Sequence, residues 1–153
     1  MPLLFAEADA RRMDGVLDRL GGVPDANRTL LLGASRNRVL RSLATLRLQV
    51  DAAKQRGDET IVLFYYSGHA DEERLQLGRT WITWAELRDL LERSGADVRL
   101  AFVDACQSGA LTRLKGVERE RGFLLDLRER TEAKGQVMVT SSAADEASQE
   151  SEE

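Results

Sequence analysis

Apolar positions recur at three- and four-residue steps through residues 6–20, where Met13, Val16, Leu17 and Leu20 share a helical face and Gly21-Gly22 follows as a stop. A second stripe, Val39, Leu43, Leu46 and Val50, predicts a long helix over residues 35–55, closed by Gly57. The pattern then changes. Residues 61–66 are an unbroken apolar run, as expected of a strand covered on both faces, and residues 98–103 are another. Residues 136–140 predict a third such strand, and residues 29–32, after a turn at Pro24-Asp25-Ala26-Asn27, a short one. Leu75-Gln76-Leu77 and Trp81-Ile82 flank Gly78-Arg79-Thr80 and predict a small hairpin. Thr83 with Glu86 three residues on is a capping box that starts a helix to about residue 93. One more helix is predicted over residues 124–134, after a basic stretch of low periodicity at residues 113–121.

Strands alternating with helices predict an α/β fold with a mostly parallel, doubly wound sheet. Right-handed crossovers then bring the ends of the 61–66 and 98–103 strands to one edge. At 153 residues the chain is one domain by length, with enough substance for a core. The formal charge of -4 gathers at the end, where Asp145, Glu146, Glu150, Glu152 and Glu153 have no basic neighbour. Taking those acids from the total of 26 leaves the remainder near neutral against 22 basic residues, which gives no sign of nucleic-acid binding. The expected division is a folded domain over 1–144 and an acidic, disordered tail over 145–153. One cysteine excludes an intrachain disulfide and fits the cytoplasm, and one histidine beside it excludes a structural zinc site. The N-terminus lacks the pattern of a signal peptide, and no apolar run approaches the ~20 residues that span a bilayer.

The candidate chemistry sits where two buried strands stop. Phe64-Tyr65-Tyr66-Ser67-Gly68-His69-Ala70 delivers the only histidine, and Val103-Asp104-Ala105-Cys106-Gln107-Ser108-Gly109 the only cysteine. A thiol with an ordinary pKa of about 8.5 is ionised by only a few per cent near neutrality. An imidazole in reach can take its proton and return it to a leaving amine. Taken singly, either residue reads more simply as an ordinary core or surface side chain. Their matched placement past strand ends, where open α/β sheets collect their chemistry, points instead to a Cys–His dyad. The expected gap between the Cys106 sulfur and the His69 ring is about 4–6 Å, since unliganded dyads are often loose. Gly68 is expected to permit the turn that presents His69, and Gly109 close backbone approach after Cys106.

These two segments, Tyr65-Tyr66-Ser67-Gly68-His69 and Asp104-Ala105-Cys106-Gln107-Ser108-Gly109, resemble the caspase-like cysteine peptidases, in particular the metacaspase and orthocaspase branch. Their order and the helix between them agree, and the likeness runs from the Ala8-Asp9-Ala10 helix to Ser141-Ser142. The resemblance implies a three-layer sandwich, a mostly parallel sheet flanked by helices. It assigns Cys106 as nucleophile, His69 as general base and acid, and the backbone N–H groups of Cys106 and Ala70 as the oxyanion hole. It also places Asp104, Ser67 and Asp9 around the pocket for the residue before the cleaved bond. Carboxylates there select Arg or Lys, since an acidic side chain would meet an unpaired like charge.

The plain structural readings are a helix-capping acid for Asp104, a solvated helix acid for Asp9 and a turn residue for Ser67. Trp81 and Trp84 read as core or hairpin packing. Arg113, Lys115, Arg119 and Arg121 read as a solvated basic loop, with self-cleavage as the lesser alternative. No cofactor or metal ligand set is identified. Calcium activation is implied by the resemblance alone, and Asp71-Glu72-Glu73 lacks the alternating spacing of a calcium loop.

Against the family pattern, the first strand and the small-subunit portion after Ser141-Ser142 are missing. The expected molecule is thus a large-subunit, catalytic portion that pairs with a complementary small-subunit segment or with itself, through an apolar edge near Val137-Met138-Val139. Its function is expected to be cysteine endopeptidase cleavage of protein or peptide substrates, without nucleic-acid or membrane partners. The alternatives are a non-catalytic adaptor of the same fold, or an inactive fragment awaiting its small subunit. A receiver-like binding domain is the weakest of them, with no acid cluster at its first strand end.

Overall fold

The computed structural model describes residues 6–105 and 135–140. In chain order these form helix α1 (Ala6–Arg19), a short 3-10 turn (Asp25–Asn27), helix α2 (Arg36–Gln55), strands β1 (Ile61–Ser67), β2 (Arg74–Leu77) and β3 (Thr80–Thr83), helix α3 (Trp84–Glu92), and strands β4 (Val98–Asp104) and β5 (Gly135–Thr140). The predicted helix over 124–134, the basic loop at 113–121, Gly109 and the acidic tail lie outside the described residues.

The sheet has the order β1-β4-β5 and is parallel throughout. Strands β2 and β3 form a separate antiparallel hairpin. Alternation along β1 and β4 gives the sheet two unlike faces. On one, Val62, Ala101 and Val103 are buried with Val39 and Val50 of α2, Leu75, Leu77 and Ile82 of the hairpin, and Trp84, Leu87 and Leu91 of α3. Leu43 and Leu46 pack against this core, so the predicted stripe of α2 is its buried face. The other face carries Leu63, Tyr65, Ser67, Leu100, Phe102 and Asp104, and α1 lies against β1. Leu87 is 0% exposed, so Leu87→Ala is expected to cost about 2–5 kcal/mol in urea unfolding, through lost burial and an unfilled cavity.

Residues 29–32 are not a strand. A four-residue apolar run needs a ladder partner, and this one finds none among the described residues. Leu31 packs against the core from an irregular segment instead. That segment is anchored by Arg28, whose guanidinium meets Asp14, Asp18 and Asp25 and the Val23 carbonyl. The capping box is half formed: the Thr83 hydroxyl accepts the Glu86 N–H at 3.1 Å, while the Glu86 carboxylate pairs with Arg36 of α2. The first N–H of α2 is likewise capped from the hairpin, by Thr80 Oγ1 at 2.7 Å. Thr80 itself belongs to β3, which leaves Gly78 (φ 58°) and Arg79 as the turn. Trp84 is in the core, as its sequence context predicts, whereas Trp81 is 38% exposed beneath the Arg74 guanidinium, 4.6 Å from its ring centroid.

One polar cluster pins the N-terminal edge of the sheet. Asp97 accepts from the Thr60 N–H at 3.0 Å and its hydroxyl at 2.8 Å, and pairs with Lys54 at 3.0 Å. Its backbone continues the ladder, Gly135 N–H donating to Asp97 C=O and Val98 N–H to Thr60 C=O. The Lys54 hydrogen bond, then those from Thr60, hold the Asp97 carboxyl at about 2, below its ordinary 3.8. A depressed carboxyl stabilises the fold above its ordinary pKa and loses that contribution as pH falls through the folded value. Thermal stability is therefore expected to drop between about pH 4 and pH 2. Asp97→Asn should lower the melting temperature at neutral pH and flatten that acid limb, as calorimetry across the window would measure.

Candidate active site

The parallel register decides the geometry of the site. Ser67, the last residue of β1, lies opposite Asp104, the last of β4, and the Gly68 N–H extends the ladder to the Asp104 carbonyl at 3.1 Å. Gly68-His69-Ala70 and Ala105 therefore leave the sheet at the same carboxyl edge. Ala105 is buried. Cys106 lies outside the described residues, and with it the sulfur–imidazole distance and the Cys106 N–H.

His69 is half-buried and held by a miniature hairpin. Ala70 bridges Leu75 in antiparallel fashion, an extension of β2 toward the site. The flanking bonds are Gln76 N–H to His69 C=O at 2.9 Å and Asp71 N–H to Arg74 C=O at 2.9 Å. In this pairing the ladder bonds come from the neighbours, so the Ala70 N–H is not spent on β2. Asp71 then closes the loop. Its carboxylate accepts from the N–H groups of Glu73 and Arg74 and from the Arg74 guanidinium, and its carbonyl accepts from the Trp84 indole at 3.0 Å. Burial pushes the Asp71 carboxyl up, but the Arg74 and backbone hydrogen bonds prevail and hold it below the ordinary range.

This engagement bears on calcium. Asp71 already serves Arg74, and no group of three or more metal-ligating side chains occurs among the described residues. Nothing among the described residues fits a calcium site.

Gly68 departs from expectation. Its φ is not in the left-handed region, so the turn does not demand glycine for conformational freedom. Space demands it: a Cβ there would stand 2.4 Å from Tyr66 Oη and 2.7 Å from Cζ. The Tyr66 hydroxyl lies 2.7 Å from the His69 carbonyl and 2.7 Å from that of Gln76. Burial raises the Tyr66 pKa, keeping this hydroxyl protonated.

Of the three residues expected around a substrate pocket, Ser67 and Asp104 are paired across β1 and β4, and Asp9 stands on the first turn of α1 over the same sheet face. Tyr65 is their common neighbour. Burial raises its phenol pKa, the Asp104 and Asp9 carboxylates raise it further, and a hydrogen bond with Ser67 offsets part of this. Asp9 also accepts from Arg12 at 3.1 Å, so this carboxylate already holds an exposed guanidinium. Sequence reasoning singled out neither tyrosine. The available signal was the doublet itself, because adjacent strand residues point to opposite faces and place one phenol on each side of the strand end.

Among the described residues no helix is long and apolar enough to cross a membrane. Neither the curated proteins nor the solved structures contain a match to this chain. The family model of the caspase domain matches residues 1–153, its whole length. With its parallel α/β sheet and that match over its length, the chain belongs to the caspase-domain family, whose chemistry is that of a cysteine peptidase.

Proposed function

We propose that the protein is a cysteine endopeptidase of the metacaspase and orthocaspase branch that cleaves after Arg or Lys through a Cys106–His69 dyad. The observation that supports this most directly is the Ser67–Asp104 register with its Gly68-to-Asp104 bond, since both motif segments begin at one edge. His69 takes the Cys106 proton, and the thiolate sulfur adds to the substrate carbonyl carbon. The resulting oxyanion is held by the N–H groups of Ala70 and Cys106. As the C–N bond breaks, His69 returns the proton to the amine, and water then hydrolyses the thioester. Asp104, Ser67 and Asp9, gathered around Tyr65, receive the basic side chain; the surplus of carboxylates is what supports a cationic partner. A peptidyl-arginyl chloromethyl ketone should label Cys106, read by mass spectrometry of the tryptic peptide. No adduct, or equal labelling by a peptidyl-aspartyl analogue, would defeat the assignment.

The single cysteine favours a reducing compartment, and we place the protein in the cytoplasm on that ground. A complementary small-subunit segment or a second copy is proposed to pair along β5, which no described strand flanks on its outer side and where Val137 and Val139 are 44% and 47% exposed. Light scattering would show a strict monomer if this is wrong.

A further inference from the structure

We propose that Tyr66 is a positioning residue that fixes the His69–Ala70 peptide plane, so that the Ala70 N–H is aimed outward as an oxyanion donor. This rests on the dyad reading above and adds to it a residue outside both the dyad and the pocket. The His69 C=O and the Ala70 N–H belong to one planar trans group and point in opposite directions. Whatever holds the carbonyl therefore sets the direction of the N–H.

That carbonyl is approached by a backbone N–H and by a phenol. Gln76 N–H donates to it at 2.9 Å, and the Tyr66 hydroxyl stands 2.7 Å away, its single proton shared between this carbonyl and that of Gln76. The hydroxyl is therefore seated between the His69 loop and β2, within hydrogen-bond distance of a carbonyl on each. Tyr66 points to the core face of β1, opposite Tyr65 and Ser67, so its ring reaches the loop from behind the proposed site. Gly68 is the space through which it does so, since a Cβ there would collide with the phenol. A donor that is already aimed needs no reorganisation as charge develops on the substrate oxygen.

The test separates chemistry that uses an oxyanion hole from chemistry that does not. Iodoacetamide alkylates a thiolate by displacement at a saturated carbon, whereas a peptidyl-arginyl chloromethyl ketone first presents a carbonyl to be attacked. In the 153-residue chain, Tyr66→Phe keeps the ring and removes the hydroxyl. It should slow labelling by the chloromethyl ketone by about tenfold, a fraction of the 10²–10³ lost when a donor is removed outright. Labelling of Cys106 by iodoacetamide should stay within about twofold of wild type, because thiolate formation is untouched. Gly68→Ala, which displaces the phenol without altering it, should reproduce the split and serves if Tyr66→Phe fails to fold. Equal rates with both reagents in these variants, or equal slowing of both, overturns the proposal. His69→Ala is the control for the dyad itself: if it leaves iodoacetamide labelling unchanged, the dyad reading fails; if it slows labelling while the Tyr66 and Gly68 variants behave as wild type, only the positioning role fails.

Discussion

Replacing His69 with alanine is expected to slow iodoacetamide labelling of Cys106 at pH 7 by at least about tenfold and to move its pH dependence upward, toward the pKa of about 8.5 of an unassisted thiol. The sign follows from the charges. With His69 taking the thiol proton, wild-type labelling should fall less steeply below pH 7 than that of the variant. Without the imidazole, each unit below about 8.5 removes close to a factor of ten in thiolate. Turnover of a peptidyl-arginine substrate should suffer more, by roughly 10³-fold or beyond, because the variant also lacks the group that protonates the leaving amine. His69 is the only histidine, so no other imidazole can substitute. Superimposable pH profiles for wild type and variant would show that the two residues do not act together. Placement of His69 by the Ala70–Leu75 bridge and the Gln76 bond means that the substitution removes a ring from a loop braced through its backbone. Loss of fold is therefore not the expected route to loss of rate.

The second large effect concerns selectivity. Asp104→Ala should reduce labelling by a peptidyl-arginyl chloromethyl ketone by roughly 30- to 10³-fold, the range for truncating one partner of a desolvated charge pair. Iodoacetamide labelling should be nearly unchanged, since it needs no pocket. Asp104 ends β4 on the face shared with Tyr65 and Ser67, and its side chain is exposed at the strand edge, available to a ligand. Asp9 is proposed to contribute from α1, where it already accepts from Arg12. The weaker expectation for Asp9→Ala, a few-fold loss, follows from that existing competition with Arg12. Should Asp104→Ala label as fast as wild type, the acid would be a structural strand-end residue and the preference for basic side chains would have to come from elsewhere.

The stripe Val39, Leu43, Leu46 and Val50 and the apolar runs of β1, β4 and β5 were legible because burial of one helical face, or of both faces of a strand, is written as period. The parallel order of those strands followed from their alternation with helices, and so did the shared edge that carries His69 and Asp104. The Thr83 cap was legible because it is local, closing within three residues.

What period and local chemistry do not contain is the partner of a group. Residues 29–32 have the composition of a strand, yet a strand exists only as half of a ladder, and no described segment supplies the other half. Glu86 could have closed its own capping box, but Arg36, fifty positions away in sequence, offered an opposite charge and took it. Gly68 was legible as a required glycine but not for its reason, which is the volume of a phenol two residues earlier in the chain. Sequence alone determined the fold class and the strand ends, and it singled out the two residues proposed to carry the chemistry. Tertiary structure decided which polar groups meet there, with Tyr65 joining Asp9, Ser67 and Asp104 on one face and Tyr66 bracing His69 from the other, because a hydrogen bond or a charge pair depends on distance in space and leaves no period along the chain.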